Sequence, residues 1–256
     1  YSNEEDPDNL NAKTCQACHQ PTFNEDGYIR TRIARSPPGG DFLINPREPF
    51  GQHTFVGANV VLPQIIKAER STLNPVGTDE ALDMISELAI EKLNISAVIK
   101  LEDVEQNDSS LIFNVAIESN VGHKLPTGFP SRRVWLVVKA STADGTVLFH
   151  SGRYNTQGRI VDAEGKPLPS EWVFGPIEPH HQLITDESQV QIYEAIMGNA
   201  EGQYTHAITH AKGWLKDNRI LPSGYQTDHP DARYTLPVAV DNDVNFIGGG
   251  DQIRYQ

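Results

Sequence analysis

Both cysteines of the 256-residue chain fall in one short stretch, KTCQACHQPTF, as Cys15 and Cys18, and His19 follows the second directly. This stretch belongs to a segment that cannot build a core by itself. RSPPGGDFLINPREPFGQ, residues 35–52, is crowded with proline and glycine and carries no apolar period. Whatever orders residues 1–50 must supply apolar surface from outside the local sequence.

Four chemistries use a CxxC pair. A structural zinc site needs four ligands, usually from two such knuckles, and the chain offers one. A thioredoxin-type dithiol follows a buried strand and opens a helix, whereas Cys15 follows a polar, acid-rich segment. A disulfide between Cys15 and Cys18 closes a tiny loop, restrains little of the unfolded chain and leaves His19 without a role. CxxCH accounts for all three residues: the thiols add to the vinyl groups of a haem and His19 stands under the iron as proximal ligand. The macrocycle would then be the apolar plate around which the loop-rich segment folds. An accidental or redox CxxC is the alternative reading.

The formal net charge of −13, from 21 basic and 34 acidic residues, disfavours nucleic acid and anionic lipid as partners and favours basic ones. No run of 18 apolar residues occurs, so no membrane span is expected. The opening YSNEEDPDNLNAKT has neither a basic start nor an apolar stretch, which suits an export signal already removed or a piece of a longer protein.

His53 to Arg70 (HTFVGANVVLPQIIKAER) reads as a helix that Pro63 should kink. Thr78 to Leu93 reads as a clearer one, with Thr78 as N-cap and Leu82, Ile85, Ala89 and Leu93 on one face. After about residue 94 the period changes to two. ISAVIKLED, LIFNVAIES, RVWLVVKAS, TVLFHSG, QVQIYEAI and YTLPVAV read as strands, Asp144 and Gly145 mark a tight hairpin, and THAITHAKGWLKDNR reads as a helix or helical turn. The expected fold is α+β, mainly β: a haem-binding loop-and-helix segment over 1–93 and an antiparallel β-sandwich over 94–256.

Together CQACHQP, HTFVGAN, GHKLPTGFPSRRVWLVV, SGRYNTQGRI, QVQIYEAIMGN, KGWLKDNRILPSGY and FIGGGDQIRY resemble the C-terminal part of bacterial multihaem c-type cytochromes. The resemblance covers nearly the whole chain, and GHKLPTGFPSRR is more specific than CxxCH. It implies an exported, periplasmic or cell-surface electron-transfer protein whose partners are other cytochromes or redox proteins, or neighbouring copies of itself. Relatives of this kind carry several CxxCH motifs, whereas one is present here, giving one haem c per chain.

The sixth iron ligand comes from nine histidines and two methionines. Met84 and Met197 read as core packing. His53 follows a flexible loop, residues 20–52, and heads HTFVGAN, so it is the expected distal ligand. His123, in VGHKLPTGFP, is the rival, with a structural role bonded to backbone carbonyls as its alternative. His180 and His181 read as surface residues or neighbours of the haem. His206 and His210, at i and i+4, would suit a metal pair on a helix but have no third ligand. Asp241, Asp243 and Asn245 space oxygens like half of a calcium loop, with a charged turn as the plainer reading. Arg132 and Arg133 could neutralise haem propionates or form surface ion pairs.

Two axial imidazoles would close both faces of the iron, which points to electron transfer and away from catalysis. A haem enzyme with an open sixth position is the competing class. A β-sandwich docking module stapled by haem is the third. No Ser-His-Asp constellation or phosphate-cradling loop stands out.

Overall fold

The computed structural model describes residues 13–31, 46–240, 243–246 and 248–256. The chain divides into two compact units, one within residues 2–96 and one over 97–256.

The N-terminal unit opens with α1 (Cys15–His19), one helical turn whose N-cap, Thr14, accepts the Ala17 N–H on its Oγ at 3.0 Å. A minimal hairpin follows, β1 (Phe23–Asn24) with β2 (Gly27–Tyr28), turned by Gly27 at φ +110°. The chain from 47 to 56 then runs back beside this region. Phe50 N–H donates to the Ile29 carbonyl (2.9 Å), Gln52 N–H to Pro21 (3.0 Å) and Phe55 N–H to His19 (3.2 Å).

These bonds explain why the helix expected from His53 begins later, as α2 (Val61–Ala68). The backbone of 50–55 is spent on partners in 19–29, and Phe55 sits at φ +44°. Pro63 does not kink this helix. It lies in the first turn, where its missing N–H would have had no partner anyway. The break falls instead at Glu69, before the short α3 (Arg70–Leu73), which left-handed Asn74 terminates.

The longest helix, α4 (Asp79–Asn94), starts as the sequence implies, with the Ala81 N–H donated to Thr78 Oγ1 at 3.2 Å. Ser86 and Ala89 are buried on its inner face, and Gln64 and Lys67 of α2 bond to its Asp83. Met84, expected in the core, is 52% exposed. At 100° per residue it stands about 200° from Leu82, on the opposite face.

The second unit holds β3 (Ala97–Gln106), β4 (Leu111–Ser119), β5 (Arg133–Trp135), β6 (Val138–Ser141), β7 (Val147–Ser151), β8 (Leu183–Ile184), β9 (Ile192–Gly198), β10 (Gly213–Asp217) and β11 (Gly250–Tyr255). One sheet has the order β3-β4-β11-β8, another β10-β9-β5, and β6 pairs with β7. Pairing is antiparallel throughout except for two residues of β8 beside β11. Asp144 and Gly145 turn the β6–β7 hairpin, with Gly145 at φ +88°.

One hydrophobic cluster takes Val115 and Ile117 from β4, Ile253 and Tyr255 from β11 and Tyr193 from β9, with Leu125, Ile220 and Leu221 from loops. Both larger sheets contribute to this core, so the mainly β expectation holds. Met197 is buried in β9, as expected.

Two elements differ from the sequence reading. THAITHAKGWLKDNR gives only a 3-10 turn at Ile208–His210 and then β10, because its second half pairs with β9. YTLPVAV forms no strand: Pro237 has no N–H to give a ladder, Ala239 lies at φ +61°, and a single bridge joins Val238 to Asp217.

Candidate functional site

The turn of α1 sets Cys15 and Cys18 three residues apart, on one side of the helix, and both thiols are free and exposed. His19, half-buried at the end of the turn, has Nδ1 3.0 Å from the carbonyl oxygen of Val56. A carbonyl can only accept. Nδ1 therefore carries the ring hydrogen, and Nε2 carries the lone pair that an iron would take. Val56 is buried, and the Phe55 N–H bond to the His19 carbonyl holds the same two segments together. The donor set is two exposed thiols and one imidazole of fixed tautomer on a single turn, and it fits a haem c.

His53 lies in the same unit, in the extended segment before α2 rather than at a helix start. Its exposed ring stands between Phe50 and Phe55, with centroids 5.9 and 5.6 Å away. Around this region Phe23, Tyr28 and Phe55 are exposed aromatic side chains.

His123 belongs to the other unit, where its Nδ1 lies 3.1 Å from the Lys124 carbonyl, the backbone-bonded arrangement that was its alternative reading. His206 and His210 are both exposed and share no helix, so the i, i+4 metal pair is lost. Arg133 is committed to Glu171, which it grips through both terminal nitrogens, Nη2 at 2.8 Å. Arg132 donates to the Thr127 carbonyl. Asp241, the first residue of the calcium-like spacing, lies outside the described residues, and the Asp243 carboxylate of that spacing accepts the Asn245 N–H.

The sequence reading missed what surrounds His180. This side chain is 3% exposed and lies with Asp243 and Asp251 in a group whose possible metal-ligating atoms are within 4.8 Å of one another. Hydrogen-bond polarity decides how the group works. The Gln191 amide is oriented by the His181 N–H on its Oε1, and the Asn218 amide by the Glu194 N–H on its Oδ1. Both NH2 groups therefore point at His180 Nδ1, at 2.8 and 3.1 Å. Nδ1 is an acceptor, Nε2 carries the hydrogen, and Nε2–H donates to Asp243 Oδ2 at 2.8 Å. The nitrogen facing the two carboxylates has no lone pair to offer a metal, so the group is a hydrogen-bonded polar core.

Asp251 accepts from Tyr193 OH (2.8 Å), and burial pushes its carboxyl above the usual range. Burial, with Asp251 beside it, likewise raises the Tyr193 phenol well above its ordinary value.

A second buried network adjoins it in sequence. Asp217 receives Arg219 through Nε and Nη2, both at 2.8 Å, and Lys124 Nζ at 2.7 Å. Burial alone would raise the Asp217 carboxyl, but the two cations hold it below its ordinary value. Burial lowers the pKa of Lys124 and of Lys216, whose Nζ donates to Glu194 and to the Ile192 carbonyl. The signal was present as KDNR, four polar residues set between Trp214-Leu215 and Ile220-Leu221.

The family-like strings thus meet inside the β unit. Leu125 of GHKLP and Ile220 of NRILP exchange both backbone bonds at 2.9 Å, and Lys124 pairs with Asp217. Comparison with family models, curated proteins and solved structures gives no match for this chain.

Proposed function

We propose that this chain is an exported c-type cytochrome, of the kind that the multihaem C-terminal strings suggest, carrying electrons through one haem c at the Cys15–His19 turn. Cys15 and Cys18 Sγ would hold the group as thioethers and His19 Nε2 would take the iron, with His53 as distal ligand. When bound, the group supplies one-electron chemistry. The residues around it do the positioning: Thr14 caps the turn, and the Val56 carbonyl fixes the His19 ring and its tautomer.

The observation that carries the proposal is the fixed Nδ1–H of His19 on the same turn as two free thiols. His53 is preferred to His123 because it belongs to the same unit as His19 and its ring is free of backbone bonding to a neighbouring carbonyl, unlike that of His123. The acidic chain would draw basic redox partners, in the periplasm or at the cell surface.

The test is denaturing acid-acetone extraction of protein isolated from its source. Haem that stays with the polypeptide supports the proposal, and haem that leaves, or none, ends it. In the loaded protein His53→Ala should open the sixth position, with a high-spin spectrum and new cyanide binding, while His123→Ala leaves the spectrum unchanged. The reverse result moves the ligand to His123. Cyanide binding by the unaltered protein would favour an enzyme with an open sixth position.

A further inference from the structure

We infer that Asn107, at the tip of the β3–β4 hairpin, is an acceptor for an N-linked oligosaccharide. The inference rests on the reading that the chain is exported, because sugars of this kind are added to the surface loops of secreted proteins. Asn-X-Ser with X other than proline occurs twice, as Asn94-Ile95-Ser96 and as Asn107-Asp108-Ser109. The structure separates the two.

The Asn107 triplet closes a hairpin in open solvent. Gln106 faces Leu111 across the strands, the Asn107 N–H donates to the Ser110 carbonyl at 3.0 Å, and Asn107, Asp108 and Ser109 are all exposed. A transferase can therefore engage the triplet without opening the core.

The side chain is also set for reaction. An amide nitrogen is a weak nucleophile because its lone pair is shared with the carbonyl. Three donors converge on Asn107 Oδ1: the Ser109 N–H at 2.9 Å, the Ser110 N–H at 2.9 Å and the Ser109 hydroxyl at 3.1 Å. Donors on the oxygen stabilise negative charge there, so a hydrogen on Nδ2 is easier to remove. Nδ2 itself donates to no protein group among the described residues.

Asn94 offers none of this. It is the last residue of α4, and the Ser96 N–H is held by the Leu93 carbonyl at 3.1 Å. The Ser96 hydroxyl is spent on the Lys92 carbonyl at 2.6 Å and does not serve the asparagine.

The co-substrate is an oligosaccharide activated as a lipid diphosphate. Asn107 Nδ2 attacks the anomeric carbon of its first sugar, and the new C–N bond replaces the C–O bond to the diphosphate. The lipid diphosphate leaves with the electron pair of that bond, and one Nδ2 hydrogen passes as a proton to a base of the transferase.

Intact and peptide mass spectrometry of the protein isolated from its source, with variants expressed in the same source, tests this. A saccharide mass is expected on the peptide that holds Asn107 and none on the peptide that holds Asn94. Ser109→Ala should abolish it, although both backbone donors to Asn107 Oδ1 remain to hold the hairpin, and Ser109→Thr should restore it. Asn94→Gln should change nothing. A bare Asn107 on a chain that carries covalent haem overturns the inference and leaves the electron-carrier reading standing, whereas a bare Asn107 on a chain without haem ends both. Saccharide on a chain without haem keeps the inference and ends the carrier reading. Saccharide that persists in Ser109→Ala, or that is found on Asn94 instead, overturns the inference.

Discussion

The two units spend their apolar residues in opposite ways. In the N-terminal unit Val56, Pro63 and Ala89 alone are buried among the described aliphatic and aromatic side chains, while Phe23, Tyr28, Phe55, Val61, Leu62, Ile65 and Met84 lie exposed. The β unit buries its aromatic and aliphatic residues in quantity, and inside that apolar shell it also buries His180, Asp217, Asp243, Asp251 and Lys216. One unit has apolar surface without a core, and the other has a core rich enough to solvate ions internally. Small segments below the size that supports a core need a staple such as a metal or cofactor, and the proposed haem would serve the first unit alone.

The largest effect that would break this contrast comes from the double variant Cys15→Ser, Cys18→Ser. Covalent haem should be lost, and amide hydrogen exchange over residues 13–96 should approach that of free chain while β4, β9 and β11 keep their protection. Equal loss in both units would show that the staple serves the whole chain.

Asp217→Asn comes next, at about 3–5 kcal/mol by urea unfolding, since Arg219 and Lys124 are left buried without their carboxylate. Its pH signature follows from the direction of the shift. The Asp217 carboxyl is held below its usual 3.8, so its stabilisation is present above that pH and disappears as pH falls through the lowered value. The variant should lack that acid limb.

Tyr193→Phe removes one donor from Asp251 and should cost about 1–3 kcal/mol. Asp251 titrates with the opposite sign to Asp217. Its pKa is raised by burial, so its contribution is greatest below the usual carboxylate value and is lost as pH rises through the shifted one. A variant whose stability rose over that window would contradict the assignment. The smallest effect belongs to Thr78→Ala, about 1 kcal/mol from one lost cap, visible as faster exchange at the start of α4 and nowhere in the β unit.

What could be read from the sequence was local. Thr78 with its acidic first turn placed α4, alternation placed β3, β4 and β9, and Asp144-Gly145 placed a hairpin, because each depends on neighbours a few residues apart. The spacing of Cys15, Cys18 and His19 gave the candidate site for the same reason. The errors share a cause too. His53–Val60 looked helical until the Phe55 N–H and the Val56 carbonyl found partners on His19, and KGWLKD looked helical until β9 claimed it. The polar core was invisible because His180, Gln191, Asn218, Asp243 and Asp251 come from five separate places in the chain. The carbonyl that fixes His19 lies 37 residues away and belongs to a side chain of no chemical distinction.

The strand order of the larger sheet governs when the protein can fold. β11 lies in the interior of that sheet, between β4 and β8, yet it follows both in chain order, with Tyr255 opposite Phe113 and beside Ile184. During synthesis, β3 and β4 can form their hairpin early and then wait with one edge open while the residues between are made. The hydrophobic layer of Val115, Ile117, Ile253 and Tyr255 closes only when residue 255 arrives. The core of the β unit therefore closes late, after β3 to β10 have all been made, because its central strand comes last among them.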